Sequence, residues 1–199
     1  MKPIVSISGT SRPDNYTSRA LGVVNDHLRD SGADVVEFDA RNLELNFPGH
    51  PASDDAHRLR EAVKSADAVV LATPEYHGTF CAMTKLIIEN LGFPSALESK
   101  TVSLLGVAAG RIGAIKSLEN LRGVCAHVGA VVLPGAVSVA GVRKAFDEEG
   151  NCTDEAIDAM LKELARETVS YIQRHVCPAH VLESRVRADE DAEPWSTNL

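Results

Sequence analysis

The chain is poor in aromatic residues, 5% of the total with a single tryptophan. It has no uninterrupted apolar stretch near the ~20 residues that a membrane-spanning helix needs, so no membrane contact is expected. Its four cysteines, Cys81, Cys125, Cys152 and Cys177, stand 25 to 44 residues apart, which gives neither a C-x-x-C redox pair nor zinc-ligand spacing. Reduced thiols in a cytoplasm and no metal centre are the expectation. Lysine and arginine never cluster and the formal net charge is -8, which argues against a nucleic-acid surface built on phosphate neutralisation. Two phosphate-binding signatures are also missing, G-x-x-x-x-G-K-[ST] and G-x-G-x-x-G, and a nucleoside triphosphatase or a dinucleotide-clamping domain is disfavoured with them. No cleavable apolar segment stands ahead of the strand-like Ile4-Val5-Ser6-Ile7, so export is not expected. Internal repeats and low-complexity blocks are absent as well.

What is present is an ordinary globular composition, 44% hydrophobic and 24% charged over 199 residues, enough for one sizeable core. Short β-branched runs alternate with longer stretches of helical period, the pattern of βαβ units around a parallel sheet. Strands are expected at residues 3–8, 34–38, 68–72, 101–107 and 130–133, several of them apolar throughout, as strands covered on both faces are. Helices are expected at 17–30, 54–65, 80–91, 112–128 and 153–175, the last with Thr153 as its N-cap. The 80–91 helix is apolar on more than one stripe, so it is either deeply buried or meets another subunit. These elements make an α/β domain over residues 1–175. Residues 176–199, with Pro178, Pro194, an acidic stretch and Trp195, show no periodicity and read as a disordered tail or as an arm packing on a neighbouring subunit.

In an open parallel sheet ligands bind beyond the carboxyl ends of the strands. The loop after the first strand, Ser8-Gly9-Thr10-Ser11-Arg12-Pro13-Asp14-Asn15-Tyr16-Thr17-Ser18, passes directly into a helix. A phosphate there would receive backbone N–H groups, the positive end of the helix dipole, hydroxyls from Thr10, Ser11, Thr17 or Ser18, and the charge of Arg12. A plain helix cap by Asn15 or Thr17 would use the same residue types. After the third strand comes Thr73-Pro74-Glu75-Tyr76-His77-Gly78-Thr79, where Pro74 fixes a torsion, Gly78 relaxes one, and Tyr76 can wall a planar heterocycle. Taken alone, His77 reads as a surface turn residue or a proton donor, and Glu75 as a solvated carboxylate. After the fourth strand, Ala108-Ala109-Gly110-Arg111 is small enough for backbone to approach a flat ligand, although a helix start with a solvated arginine has the same look.

Together, Gly9-Thr10-Ser11-Arg12, Thr73-Pro74-Glu75-Tyr76-His77-Gly78 and Gly110-Arg111 resemble, in order and spacing, the G-S-x-R, T-P-E-Y-N and A-G-R loops of the NADPH-dependent FMN reductase family, over roughly residues 2 to 174. The resemblance implies a flavodoxin-like, doubly wound five-stranded parallel sheet of order 2-1-3-4-5 with helices on both faces. It implies tightly but noncovalently bound FMN, NADPH or NADH as hydride donor, and a small acceptor such as a flavin, quinone, azo compound or chromate, served in a ping-pong cycle. It places the FMN phosphate at Thr10, Arg12, Tyr16, Thr17 and Ser18, and the isoalloxazine edge along Pro74, Glu75, Tyr76, His77 and Gly78, with Gly110 bordering the ring. No protein side chain is required as a base, since the flavin carries the chemistry. A homodimer or homotetramer through the 80–91 helix is implied too. Three departures stand out: Thr10 replaces Ser, His77 replaces Asn, and the usual Asn and Trp beyond Lys85 are missing. A flavodoxin-type electron carrier shares the fold but usually has a T-x-T-G-x-T loop, here replaced by Thr10-Ser11-Arg12-Pro13. A flavin-free regulatory protein is the other alternative, because fold does not fix function.

Overall fold

The computed structural model of the chain describes residues 2–188. A parallel sheet forms from β1 (Ile4–Ser8), β2 (Val35–Asp39), β3 (Ala68–Tyr76), β5 (Thr101–Val107) and the short β6 (Val131–Val132), in the order β2-β1-β3-β5-β6. β7 (Val137–Val139) also pairs parallel with β5, and β4 (Thr79–Phe80) folds back antiparallel on the end of β3. Counting β6 and β7 as two halves of one interrupted strand, the order is the expected 2-1-3-4-5.

Period-two alternation along the strands supplies both faces of the sheet. Ile4, Val70, Ala72 and Leu105 face α1 (Tyr16–Asp30) and α5 (Glu155–Tyr171), against Ala20, Leu21, Val24, Leu161, Leu164 and Val169. Val5, Ile7, Val69, Leu71, Val102 and Leu104 face the other layer. There α2 (Asp54–Ser65) contributes Leu59 and Val63, α3 (Ala82–Asn90) contributes Ile87 and Ile88, and α4 (Ile115–His127) contributes Leu118 and Leu121. Burying such a side chain fully is worth about 1.5–3 kcal/mol, so these two layers hold the sheet. The first layer also carries buried hydroxyls. Ser6 Oγ donates to Asn25 Oδ1 at 2.6 Å, and Ser103 Oγ lies 2.6 Å from Thr168 Oγ1. Thr168 spends its one proton on the Leu164 carbonyl at 2.7 Å, so the Ser103 hydroxyl is the donor of that pair.

Several boundaries differ from the sequence reading. β3 runs on to Tyr76, through Pro74, because β5 pairs with it as far as Pro74 and β4 closes a hairpin beyond. The apolar helix therefore begins at Ala82, and it buries one face only: Thr84, Ile87 and Ile88 point inward while Met83 and Leu86 are half-buried. The expected strand at 130–133 keeps only Val131–Val132, with β7 completing it five residues on. The fourth helix starts at Ile115, leaving Ile112 exposed. Asp154, not Thr153, caps α5, its Oδ1 accepting from Ala156 N at 3.0 Å and Ile157 N at 3.1 Å. Past α5 the chain does not fall into a loop. A π-helical turn over Ile172–Val176 leads into α6 (Cys177–Ala188), so the first half of the expected tail is helical. Trp195 and the acidic stretch around it lie outside the described residues. Among the described residues no helix is long and apolar enough to cross a membrane, and no group of three His, Cys, Asp or Glu could hold a metal ion.

Candidate active site

The strand order reverses between β1 and β3, since β1 leads outward to β2 and β3 leads the other way to β5. Loops leaving such a reversal diverge and open a crevice beyond the carboxyl ends of the strands. A cleft of about 240 Å³ lies there. One wall is the start of α1 with Arg12, Asp14, Asn15, Tyr16 and Thr17, the floor is Pro74, Glu75 and Tyr76 from the end of β3, and the far wall is Val107, Ala108, Ala109, Val142 and Arg143.

Each wall is held by bonds that its sequence makes available. Asn15 is the N-cap of α1, accepting from Ser18 N at 2.7 Å through Oδ1 and donating from Nδ2 to the Arg12 carbonyl at 2.8 Å. The first-turn N–H groups of Tyr16 and Thr17 have no partner within the helix and remain for an anion. The Tyr16 ring packs on Phe146 with centroids 6.2 Å apart, and the Arg19 guanidinium sits 5.3 Å from the Tyr16 centroid. On the floor, Glu75 Oε2 accepts from Ser117 N at 3.1 Å, which sets a carboxylate on the N-terminus of α4 and ties that helix to β3. The far wall is closed by backbone: Ala108 N donates to the Val139 carbonyl at 2.9 Å, and Val142 N to the Ala108 carbonyl at 3.2 Å.

Of the eleven residues expected at the site, Arg12, Tyr16, Thr17, Pro74, Glu75 and Tyr76 line this one cleft. Five do not. Thr10 lies beneath the loop, 2% exposed, its hydroxyl accepting from Arg12 N at 3.3 Å. The Ser18 hydroxyl is turned toward β1 and β2, 2.8 Å from Ser8 Oγ and 3.5 Å from Asp39 Oδ2. Burial works to raise the Asp39 carboxyl, but hydrogen bonds and charge from Arg41 outweigh it and hold the group below its ordinary value. His77 and Gly78 form the two-residue tip of the β3–β4 hairpin, with φ of 52° and 78°. Gly110 is exposed outside the cleft, next to Ala109, its carbonyl accepting from Gly141 N at 3.0 Å. Arg143 is a lining residue that sequence reasoning missed. It follows the second half of the interrupted strand, and the signal in the sequence was Gly141, a turn residue directly after an apolar run, which the structure holds in the left-handed region at φ 58°. Among the described residues neither Arg12 nor Arg143 has an ion-pair partner.

The cleft suits a flat ligand with an anionic end. Small Ala108 and Ala109 line it together with Tyr76, and an anion at the start of α1 would meet Arg12 and free helix N–H groups. An FMN molecule has that form.

Comparison with known proteins points the same way. A family model described as NADPH-dependent FMN reductase matches residues 2–144. The chain is 26% identical to an NAD(P)H-dependent FMN reductase of Pseudomonas aeruginosa over 178 residues, 86% of this chain and 95% of that protein. It is 37% identical to an NADPH azoreductase of Bacillus sp. (strain OY1-2) over 166 residues, 81% of this chain and 89% of the other. Among solved structures it is similar to the flavoenzyme NAD(P)H:(acceptor) oxidoreductase FerB from Paracoccus denitrificans, with a TM-score of 0.73 at 22% identity over 88% of this chain and 99% of that one. A flavodoxin from the domain Archaea has a TM-score of 0.62 at 14% identity, over 87% and 100%; at these identities both structures speak for the fold. With a family model covering most of the chain, and a relative 37% identical over most of both lengths, the chain belongs to the NADPH-dependent FMN reductase family and is an oxidoreductase that uses FMN with NAD(P)H as electron donor.

Proposed function

We propose that the cleft at the β1–β3 reversal holds FMN, with the phosphate at the start of α1 and the ring between Tyr76 and the Ala108-Ala109 wall. The observation that carries this reading is the convergence of Arg12, Tyr16 and Thr17 with Pro74, Glu75 and Tyr76 on one cleft, although 56 residues separate Thr17 from Pro74 in the chain. Bound there, FMN supplies hydride acceptance from a reduced nicotinamide and delivery to an acceptor. The protein's part is to bind and orient. Arg12 and the first-turn N–H groups of α1 neutralise the phosphate, and Glu75, through Ser117, keeps the floor and α4 in fixed relation. Arg143, on the far wall and without an ion-pair partner among the described residues, is placed to meet an anionic group on the donor or the acceptor. The acceptor is a small planar or oxidising molecule, a flavin, quinone, azo compound or chromate.

The four free cysteines suit a reducing cytoplasm. A homodimer or homotetramer through α3 is part of the same reading. It is supported by Phe93, fully exposed three residues past the end of α3, and by a groove between α3 and α4 in which Ile88, Val124 and Val128 are rimmed by Lys85, Glu89, Glu119, Asn120 and His127. Sedimentation of the purified protein checks it. The function is tested by the visible spectrum of the purified protein, followed anaerobically near ~450 nm, the flavin band, as NADPH and then NADH are added. Bleaching supports the reductase and names the donor. A band that persists points to an electron carrier, and no band after FMN is supplied refutes the reading.

A further inference from the structure

β1 ends where its neighbour has no donor to offer. Ser8 pairs with Ala72 in the parallel ladder, and Gly9 N donates to the Ala72 carbonyl at 2.8 Å. The next bond in that alternation would run from the N–H of residue 74 to the Gly9 carbonyl. Residue 74 is proline and has no N–H. A buried carbonyl left alone there would be costly. Two side chains from the start of α3 supply the missing donors: Thr84 Oγ1 at 2.9 Å and Cys81 Sγ at 2.8 Å from Gly9 O. Thr84 is fully buried and Cys81 is 6% exposed. Thr73, whose Oγ1 lies 2.9 Å from Thr84 Oγ1 and accepts from Cys81 N at 3.4 Å, completes a bonded cluster beneath the loop.

This cluster decides which way one peptide faces. In a trans peptide the N–H points opposite to the C=O, and the Gly9–Thr10 bond is trans. With Gly9 O held on α3, the N–H of Thr10 points away from α3, and among the described residues no protein acceptor takes it, although Thr10 is 2% exposed. We infer that Thr84 and Cys81 are positioning residues for the phosphate loop, holding the Gly9–Thr10 peptide so that the Thr10 N–H is offered to the phosphate monoester of the flavin nucleotide. The inference rests on the reading of the β1–α1 loop as the phosphate site.

Riboflavin shares the ring and ribityl chain of FMN and lacks only the phosphate, so the ratio of the two dissociation constants isolates what the loop contributes. Protein stripped of flavin is titrated with each, following flavin fluorescence, for the wild type and for Thr84→Val, Thr84→Ser and Cys81→Ala. Thr84→Val is expected to shrink the preference for FMN over riboflavin about tenfold, or about 1.4 kcal/mol. Thr84→Ser is expected to restore it, and Cys81→Ala to shrink it less and in the same direction. An unchanged ratio in Thr84→Val, or equal weakening of both flavins, overturns the inference. Should that variant fail to fold, an unchanged ratio in Cys81→Ala does the same. A wild type that binds riboflavin as tightly as FMN overturns the phosphate reading itself, and the inference with it.

Discussion

Gly9→Ala puts the close packing of Gly9 on Thr84 and β3 to a quantitative test. A Cβ at that position would stand 2.3 Å from Thr84 Oγ1 and 2.8 Å from the Ala72 carbonyl oxygen, where ordinary contact begins at 3.4 Å. Thr84 cannot swing aside without leaving both Gly9 O and Thr73, and Ala72 is backbone inside the sheet. Overpacking of this kind costs about 1–3 kcal/mol, and leaving a buried polar group unpaired adds about 1–3 kcal/mol. The expected loss is therefore about 2–6 kcal/mol, or a fall in Tm of roughly 4–24 °C for a domain of this size. Urea unfolding measures it as a lower midpoint at unchanged slope. Adding Thr84→Ala removes the closer of the two clashes, so the double variant should be more stable than the sum of the single losses implies, by at least ~0.5 kcal/mol. A Gly9→Ala protein within ~0.5 kcal/mol of wild type, or strict additivity of the two changes, would refute the packing described here.

Two further expectations concern the hairpin and a buried thiol. Both tip residues of the β3–β4 hairpin have positive φ, a turn that Asn-Gly fits best, so His77→Asn should raise stability by about 0.5 kcal/mol and His77→Val lower it by about 1–2 kcal/mol, read from thermal melts. Burial in the α4 layer pushes the Cys125 thiol up to about 12. Because the folded pKa lies above the unfolded value near ~8.5, the stability associated with this group is whole below that pH and is lost as pH rises toward the folded value. The stability advantage of wild type over Cys125→Ala should accordingly narrow as pH rises from about 8 to about 10, and Cys125 should resist alkylation in the native protein while Cys152 and Cys177, which are half-buried, react more readily. A constant advantage across that range would count against the burial argument.

The sheet could be read from the sequence because burial on both faces leaves a simple record. Ile4 to Ile7 and Val69 to Leu71 are apolar or small at every position, and only a strand covered twice allows that. The loops that line the cleft stood out because proline, glycine and hydroxyl residues cluster where a strand ends. What escaped was set by pairing between distant segments. β3 keeps its extended form through Pro74 because β5 and β4 pair alongside it, against the loop propensity of the local residues. The fifth strand broke in two because Pro134 and Gly135 interrupt a run whose apolar character continues on both sides, and Arg143 was missed with the second half. α6 has a weak apolar stripe, with Val181 and Leu182 exposed, so there was little period to detect. The direction of Ser18, away from the cleft, depends on Ser8 and Asp39, two strands brought side by side only in the fold.

The interrupted strand bears on how this protein behaves in a crowded solution. An open sheet has two edges whose free N–H and C=O groups can recruit the edge of another molecule, and long, flat, apolar edges grow into aggregates. Here one edge is β2, which carries Glu37 ion-paired to Arg29 and ends in Asp39 paired to Arg41. The other is β6 and β7, two and three residues long, with Pro134 and Gly135 in the gap. One edge is charged and the other too short to template a foreign strand, so neither side of this open sheet presents the long, flat, apolar edge from which fibrils grow.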